Sequence, residues 1–170
     1  MIVLVTDRLI LREFELTDAQ DMFDLNSDEE VMRYTGDVYF KSIEDSIKLI
    51  QNYSDYEENG FGRWATITRK DNQFIGWCGL KKLEDNTVDI GYRFFKKFWN
   101  QGYGTESAKA CLDYGFNVLD LEEIIANADK ENLASIRVME KIGMNFISTQ
   151  SYDGVDNAVL YKLTKEEFNQ

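Results

Sequence analysis

The stretch Trp99-Asn100-Gln101-Gly102-Tyr103-Gly104-Thr105-Glu106-Ser107 places two glycines one residue apart, between an apolar run and a helix-like pattern. Glycine lets the backbone approach a ligand closely, and the free N–H groups at a helix N-terminus favour anions. The stretch is therefore a candidate phosphate-binding turn. The same residues would also serve as an ordinary strand-to-helix turn with Thr105 as the N-cap.

Two other phosphate-binding motifs do not match this turn. A P-loop needs the pattern GxxxxGK followed by Ser or Thr, and neither Gly102 nor Gly104 is followed by Lys, which excludes it. A dinucleotide-binding fingerprint needs a third glycine where Ser107 stands, and it needs the glycines directly after a strand. Residues 96–101 separate the glycines from the preceding apolar run, so a dinucleotide-dependent oxidoreductase is an alternative with little support.

Periodicity on both sides of the turn predicts a mixed α/β fold. Residues 8–14 alternate as a strand does, and capping patterns at Thr17, Ser27 and Ser42 begin helical segments. Three strands with short turns between them then indicate an antiparallel meander. The predicted strands after residue 60 cover residues 63–69, 74–82, 87–95, 122–128, 144–149 and 157–163, and the later helices cover about 105–118 and 133–142.

Composition limits the class of protein. A chain of 170 residues with 44% hydrophobic residues is long enough for one well-packed core, so we expect a single domain over residues 1–170. It has no apolar run of 18 residues, and charges at Asp7 and Arg8 interrupt the N-terminus before a signal-peptide core could form. We therefore expect a cytoplasmic protein without membrane contact, in which Cys78 and Cys111 are buried thiols.

The charged and titratable residues exclude several kinds of chemistry. The chain has no histidine, which removes Ser-His triads, the usual general base near neutral pH and the commonest metal ligand, so no metal site is predicted. The formal charge of −12 disfavours binding to nucleic acid, which needs Lys and Arg to neutralise phosphates. The same charge favours a cationic partner such as an amine.

Three motifs together carry a resemblance to a known family. The run Asp89-Ile90-Gly91-Tyr92, followed by residues 99–106, resembles the strand and pyrophosphate loop of the GNAT superfamily of N-acetyltransferases. The run Asn132-Leu133-Ala134-Ser135-Ile136-Arg137-Val138-Met139-Glu140-Lys141-Ile142-Gly143-Met144 resembles the helix that follows in that family. The opening Thr6-Asp7-Arg8-Leu9-Ile10-Leu11-Arg12, with Thr17-Asp18 beyond it, is similar to the start of the RimJ/RimL-like branch. The resemblance therefore covers nearly the whole chain.

The resemblance implies a fold, a cofactor and a reaction. The implied fold is a mixed, mostly antiparallel central sheet of about six to seven strands flanked by helices. The implied reaction uses acetyl-CoA and a primary amine, which is a protein N-terminus, a polyamine or another small amine. We expect direct attack of the amine on the thioester in a ternary complex, by a monomer or a homodimer. The alternative is a non-catalytic acyl-CoA-binding sensor on the same fold.

The resemblance also implies cofactor contacts at particular residues. Backbone N–H groups of residues 102–105 would bind the pyrophosphate, Phe94 and Phe95 would pair through their backbones with the pantetheine arm, and Asn132 would contact that arm through its side chain. The expected cofactor-binding residues are Phe94, Phe95, Trp99, Asn100, Gln101, Gly102, Tyr103, Gly104, Thr105 and Asn132. The candidates for the nucleotide phosphates are Lys96, Lys97, Lys109 and Lys141.

The catalytic residues depart from the pattern of many superfamily members, which place a tyrosine general acid seven residues after the helix asparagine. This chain has Met139 at that position. Asp89 is the candidate base that takes a proton from the alkylammonium, and its alternative role is that of a solvent-facing strand residue. Ser135 is the candidate that stabilises or protonates the departing thiolate, or it only bonds the helix backbone. Tyr92 and Tyr103 are the next candidates for that role, and the alternative for each is an aromatic ring that only packs.

The acceptor is expected to contact the first half of the chain, which carries several aromatic and acidic residues. The aromatic candidates are Tyr34, Tyr39, Tyr53, Tyr56 and Trp64. The carboxylates of this region, which either attract a basic acceptor or only keep the chain soluble, are Asp28, Glu29, Glu30, Asp55, Glu57 and Glu58. The sequence does not identify the amine.

Overall fold

Eight strands form one sheet in the computed structural model, which describes residues 1–170. The strands are β1 (Ile2–Val5), β2 (Leu9–Arg12), β3 (Arg63–Thr68), β4 (Phe74–Lys82), β5 (Val88–Phe94), β6 (Glu123–Asp129), β7 (Asn145–Tyr152) and β8 (Val155–Thr164). The helices are α1 (Ala19–Ser27), α2 (Glu29–Met32), α3 (Ile43–Gln51), α4 (Asp55–Asn59), α5 (Tyr103–Asn117), α6 (Leu133–Lys141) and α7 (Lys165–Phe168). None of these helices combines the length and the apolar character needed to cross a membrane.

The order of strands across the sheet is β1-β2-β3-β4-β5-β6-β8-β7, and every neighbouring pair is antiparallel except β5 and β6. Those two strands are parallel and share a single residue pair, Asp89 with Ile125. Beyond that pair, β5 stays with β4 as far as Phe94, and β6 stays with β8 as far as Asp129. The two strands therefore diverge, and a wedge-shaped gap opens inside the sheet.

One face of the sheet is covered by α5, whose buried side gives the main hydrophobic core. Leu112 and Phe116 of this helix are fully buried and belong to the same cluster as Ile90 of β5. Cys78 of β4 and Cys111 of α5 lie in this core with their Sγ atoms 3.6 Å apart. The prediction of buried free thiols is confirmed.

The other face of the sheet is covered by the first helices of the chain. Met22 and Leu25 of α1 form a second, smaller core with Ala65 and Ile67 of β3. This packing holds residues 33–41, which connect α2 to α3, on the face of the sheet opposite α5. The wedge between β5 and β6 therefore has protein on both sides.

The predicted meander is confirmed as β3, β4 and β5, but the sheet has eight strands rather than six to seven. The additional strand is β1, whose run Ile-Val-Leu-Val lacks the apolar–polar alternation that identifies a half-buried strand. Pairing with β2 makes this run a strand. The five-residue α4 was also not predicted, because its Asp-Tyr-Glu-Glu-Asn sequence has no apolar stripe.

Three of the five predicted helix starts differ from the observed ones, whereas α3 and α6 begin as predicted. Ser42 begins α3 with the expected capping box. The box expected at Thr17 is formed by Glu15 and Asp18 instead, and Asp28 rather than Ser27 caps α2 through the N–H groups of residues 30 and 31. The N-cap of α5 is Gly102 and not Thr105, so the helix begins at Tyr103.

Candidate active site

The wedge between β5 and β6 opens into a cleft of about 840 Å³ that crosses the sheet. A volume of this size suits a small-molecule site. The glycine turn, the first turns of α6 and the end of β5 line one part of the cleft, and residues of the α2–α3 connection and of the β7–β8 hairpin line the other. The divergence of two parallel strands thus brings both predicted ligand regions into one cavity.

The glycine turn forms the N-terminus of α5 at the edge of this cleft. Gly102 has a φ of 82°, a left-handed conformation that favours glycine, and its carbonyl oxygen accepts the first helical hydrogen bond from Glu106 N at 2.9 Å. The N–H groups of residues 103–105 precede that bond and have no helical partner. A Cβ on Gly104 would lie 3.6 Å from Val138, an ordinary contact, so the open backbone there fits an anion such as a pyrophosphate.

The remaining residues of the turn divide into two groups. Trp99 and Asn100 line the cleft, and the indole Nε1 of Trp99 donates a 2.8 Å hydrogen bond to the carbonyl oxygen of Phe94. Gln101 does not line the cleft, because its Nε2 donates to Lys97 O at 2.7 Å and its own carbonyl oxygen is held by an arginine. Among the predicted cofactor residues, Gln101 is therefore turned away.

The end of β5 offers backbone groups to the cleft at Phe94 and Tyr92 but not at Phe95. Phe95 N donates to Ile75 O of β4 at 3.1 Å, so the backbone of Phe95 faces β4 and corrects the prediction that it pairs with a ligand. Successive backbone groups of a strand alternate in direction, so those of Tyr92 and Phe94 face the wedge. Because Trp99 occupies Phe94 O, the Phe94 N–H and the backbone groups of Tyr92 remain for an amide-containing ligand.

Asn132, Ser135 and Tyr92 form one hydrogen-bonded chain between α6 and β5. Asn132 caps α6, accepting at Oδ1 from Ser135 N at 3.2 Å, which leaves its Nδ2 for a ligand. Tyr92 donates its hydroxyl to the carbonyl oxygen of Ser135 at 2.8 Å. Since Tyr92 has one proton to give, the 3.0 Å contact between the two hydroxyl oxygens is a bond donated by Ser135 Oγ. The sequence named these residues separately but did not show that they touch.

The hydroxyl of Tyr92 stays protonated over the physiological range. Burial raises the pKa of Tyr92 above its ordinary value, so this side chain acts as a hydrogen-bond donor rather than as an anion. Met139, the residue at the position of the missing tyrosine, is 2% exposed and belongs to the core. Tyr103 lines the cleft with its ring under an arginine guanidinium, 4.4 Å from the ring centroid.

Asp89 lies in the cleft wall as half of a buried ion pair. Its Oδ1 accepts from Arg63 Nη2 at 2.8 Å, and Arg63 also donates to Gly79 O at 2.6 Å. Burial alone would lower the pKa of Arg63, but the attraction and hydrogen bond of Asp89, together with the nearby Tyr53, raise it. A proton accepted by Asp89 would leave the buried guanidinium without its counter-charge. This geometry speaks against Asp89 as the general base and against its being solvent-facing.

The acceptor part of the cleft is aromatic and acidic, but several of its residues were not predicted. Tyr34 and Tyr53 line it as expected, whereas Tyr39 and Tyr56 do not, and Trp64 is buried in the main core. The lining residues that the sequence analysis missed are Asp37, Trp77, Arg93, Tyr152 and Asp153. Their positions depend on the sheet order, which brings the distant hairpin 152–155 beside the α2–α3 connection.

Charges in this part of the cleft are partly compensated. Arg63 and Arg93 both stack on Trp77, 5.4 and 5.2 Å from its ring, and Arg93 forms an ion pair with Asp37. The carboxylates of Asp55 and Asp153 line the cleft without an ion pair. Burial and the nearby Asp89 raise the pKa of Tyr152 to about 12.

The lysines predicted for the nucleotide phosphates differ in their surroundings. Lys96 is paired with Glu30 at 2.9 Å, and Lys97 lies over the ring of Phe98. Lys109 is exposed on α5 away from the cleft, whereas Lys141 lines it. Arg137, one helical turn before Lys141, also lines the cleft and was not predicted.

The sequence is similar to those of known proteins. Residues 8–145 match the family described as "Acetyltransferase (GNAT) domain". YnaD of Bacillus subtilis (strain 168), named an uncharacterized N-acetyltransferase, is 36% identical over 142 residues, which cover 83% of this chain and 81% of YnaD. The spermidine N(1)-acetyltransferase of Escherichia coli (strain K12) is 25% identical over 138 residues, which cover 79% of this chain and 72% of that protein.

The fold itself also has a close counterpart among solved structures. The crystal structure of a GNAT-family acetyltransferase from Bacillus anthracis aligns with a TM-score of 0.83 at 30% identity. The alignment covers 98% of this chain and 99% of that one. The predicted class, a mixed and mostly antiparallel sheet flanked by helices, is confirmed.

Proposed function

Because the chain belongs to the GNAT family of acetyltransferases, we propose that its cleft transfers the acetyl group of acetyl-CoA to a primary amine. The single observation that carries the proposal is the gap between β5 and β6, which ends at the free N–H groups of residues 103–105. We also assign the chain to the RimJ/RimL-like branch on its opening residues 6–12.

Three groups of residues would hold acetyl-CoA. The N–H groups of residues 103–105 suit the pyrophosphate, because a helix N-terminus carries partial positive charge. The backbone groups of Tyr92 and Phe94, with the Nδ2 of Asn132, suit the amides of the pantetheine arm. Arg137 and Lys141, which have no ion-pair partner, suit the remaining phosphate.

Acetyl-CoA would supply an activated acetyl thioester. The reaction forms an amide bond and breaks the bond between carbon and sulfur, so that the amine loses a proton and the sulfur gains one. The hydroxyls of Tyr92 and Ser135 are arranged to assist the sulfur. If the Tyr92 hydroxyl turns from the carbonyl oxygen of Ser135 to its Oγ, 3.0 Å away, the Ser135 proton becomes free to point into the cleft.

The acceptor part of the cleft favours a cationic amine. Asp55 and Asp153 line it without ion pairs, and the aromatic rings of Tyr34 and Tyr53 can contact the methylene groups of an alkylamine. The relationship to a protein named spermidine N(1)-acetyltransferase supports a polyamine as the first acceptor to test.

Mass spectrometry of purified protein with acetyl-CoA and a panel of amines tests the proposal. The panel should contain polyamines, peptides with free N-termini, amino acids and aminoglycosides. We expect an acetylated product from at least one cationic amine. Tight binding of CoA without any acetylated amine would favour a non-catalytic sensor, and a thermal shift with NAD instead of CoA would favour an oxidoreductase.

A further inference from the structure

The turn between β1 and β2 contacts the glycine turn although the two are about a hundred residues apart in sequence. Glu106, in the first turn of α5, is the centre of this contact. Its Oε1 accepts from Thr6 Oγ1 at 2.6 Å and from Arg8 N at 2.9 Å, and its Oε2 accepts from Arg8 Nε at 2.6 Å. The carboxylate of Glu106 is therefore held entirely by the N-terminal turn.

Arg8 also contacts the glycine turn directly. Its Nη1 donates to Gln101 O at 2.9 Å, and its guanidinium lies 4.4 Å from the centroid of the Tyr103 ring. A Cβ on Gly102 would come within 3.2 Å of its Nη2. One arginine side chain thus touches the turn before, at and after the position where the helix begins.

The charges explain why a cation is needed here. The carboxylate of Glu106 lies in the same helical turn as the N–H groups expected to bind a pyrophosphate, and like charges repel. Burial alone would raise the pKa of Glu106, but hydrogen bonds from Thr6 and Arg8 hold it below its usual range, so the side chain is ionised at neutral pH. Arg8 cancels this charge and turns the carboxylate toward the β1–β2 turn.

We propose that Arg8 is a positioning residue for the cofactor, which holds the pyrophosphate-binding turn in shape and neutralises Glu106. Arg8 lies outside the residues that line the cleft, so it acts through the turn rather than on the reacting atoms. The inference rests on the proposed function, because it takes CoA as the ligand of the turn. It gives a role to the opening motif of residues 6–12, which the cleft alone does not explain.

Isothermal titration calorimetry with CoA tests this role. Arg8→Ala should weaken CoA binding by at least about tenfold, since it removes charge-assisted hydrogen bonds and exposes the ligand to Glu106. The double variant Arg8→Ala/Glu106→Gln should recover part of that loss. The loss of CoA affinity in the single variant Arg8→Ala should also be smaller at high salt. Added salt shortens the Debye length from about 10 Å at 0.1 M to about 3 Å at 1 M and so screens Glu106.

Arg69→Ala is the matched control. Arg69 anchors the same β1–β2 turn by donating from Nη1 to Thr6 O at 2.9 Å and to Asp7 O at 3.0 Å, but it makes no hydrogen bond to α5. We expect Arg69→Ala to lower the melting temperature without changing the affinity for CoA. This variant separates general loosening of the turn from the specific effect of Arg8.

Unchanged affinity or an unspecific loss would overturn the role of Arg8. The first would be seen as an Arg8→Ala protein that is folded and binds CoA as tightly as the parent. The second would be seen as an equal loss in Arg69→Ala, or as no recovery in the double variant together with no dependence on salt. Failure of the proposed function would look different, because it would show in the parent protein, either as no heat of binding with CoA or as CoA binding without any acetylated amine.

Discussion

The hydroxyl oxygen of Tyr92 lies 2.8 Å from the carbonyl oxygen of Ser135 and 3.0 Å from its Oγ, and so joins β5 to the first turn of α6 across the cleft. The Tyr92 hydroxyl can therefore donate its proton either to the carbonyl oxygen or to the Oγ of Ser135. When Tyr92 donates to the carbonyl oxygen, the Ser135 hydroxyl donates to Tyr92; when Tyr92 donates to Oγ, the Ser135 proton is free to point into the cleft.

If the pair assists the departing sulfur, both hydroxyls act as one unit. Ser135→Ala should lower kcat by about 10 to 100 times while the KM for acetyl-CoA stays within about twofold. Tyr92→Phe should have a similar effect, and the double variant should be no worse than the poorer single variant. Steady-state kinetics measures all three. Tyr114→Phe, a core tyrosine packed on Trp64, is the control, and full additivity of the two losses would contradict the pair.

The buried ion pair of Asp89 and Arg63 makes a prediction about stability. Asp89→Asn leaves the guanidinium uncompensated, so the free energy of unfolding should fall by about 3 to 5 kcal/mol. Asp120→Asn is the same chemical change at a carboxylate that is 82% exposed and paired with Lys165, and it should leave the free energy of unfolding nearly unchanged. Urea denaturation measures both values. Equal losses would mean that burial of the Asp89 pair is unimportant.

The ion pair between Asp89 and Arg63 also predicts how the reaction rate depends on pH. The chain has no histidine, and Asp89 is engaged by Arg63. We expect the unpaired carboxylates of Asp55 and Asp153 to attract the ammonium and not to act as its base, so that the amine enters the cleft already neutral or loses its proton to water. The logarithm of kcat/KM should therefore rise with a slope of about 1 until the pH reaches the pKa of the acceptor amine, near about 10 for an alkylamine. Two amines with different pKa values should shift the profile. A plateau near neutral pH that is the same for both would reveal a general base.

Gly104 should matter for the ligand and not for the fold. A Cβ there meets Val138 at 3.6 Å and Phe94 at 3.7 Å, so Gly104→Ala fits the free protein and should stabilise it by about 0.5 to 1 kcal/mol as a helix substitution. The same methyl group blocks the approach to the N–H groups of the turn, and CoA binding should weaken. Thermal unfolding measures the gain in stability, and isothermal titration calorimetry measures the loss of CoA affinity. Gly104→Val should weaken CoA binding further.

The raised pKa values of three partly buried tyrosines predict how stability depends on alkaline pH. Burial raises the pKa values of Tyr53, Tyr56 and Tyr92 in the folded protein, whereas in the unfolded chain they ionise near about 10. Their contribution to stability is complete below about pH 10 and is lost as the pH rises above it, because only the unfolded chain releases the protons. Urea denaturation at increasing pH should show this fall, and Tyr53→Phe should make it less steep. Unchanged stability from about pH 9 to 11 would contradict it.

Local patterns made much of the fold predictable. The two-residue period of β3, β4 and β5 and the glycine pair before α5 are visible within short windows of sequence, and the structure confirms the meander and the helix. By contrast, β1 becomes a strand only through its pairing with β2. A short apolar run without alternation does not reveal such a partner.

The part of the candidate site that is formed by backbone groups could be predicted from the sequence. The part that is formed by side-chain pairs far apart in the sequence could not. The turn at residues 102–105 could be located because glycine itself is the signal. The pairing of Arg63 with Asp89, or of Arg8 with Glu106, joins residues 26 and 98 positions apart, and either charge alone looks like a solvated side chain. Phe95 was misplaced because the direction of each backbone group in β5 depends on its register with β4.

The single residue pair that joins β5 to β6 affects which substitutions this protein can accumulate during evolution. A ligand held at that gap would be recognised largely by main-chain atoms, which every amino acid except proline supplies alike. Apart from Asp89 and Tyr92, which make specific side-chain contacts, the side chains of both strands can then be exchanged as long as the register is kept. The walls of the acceptor part of the cleft are side chains, so each substitution there changes which amine fits. Variants can therefore differ in the amine that they accept while they keep the same acetyl donor.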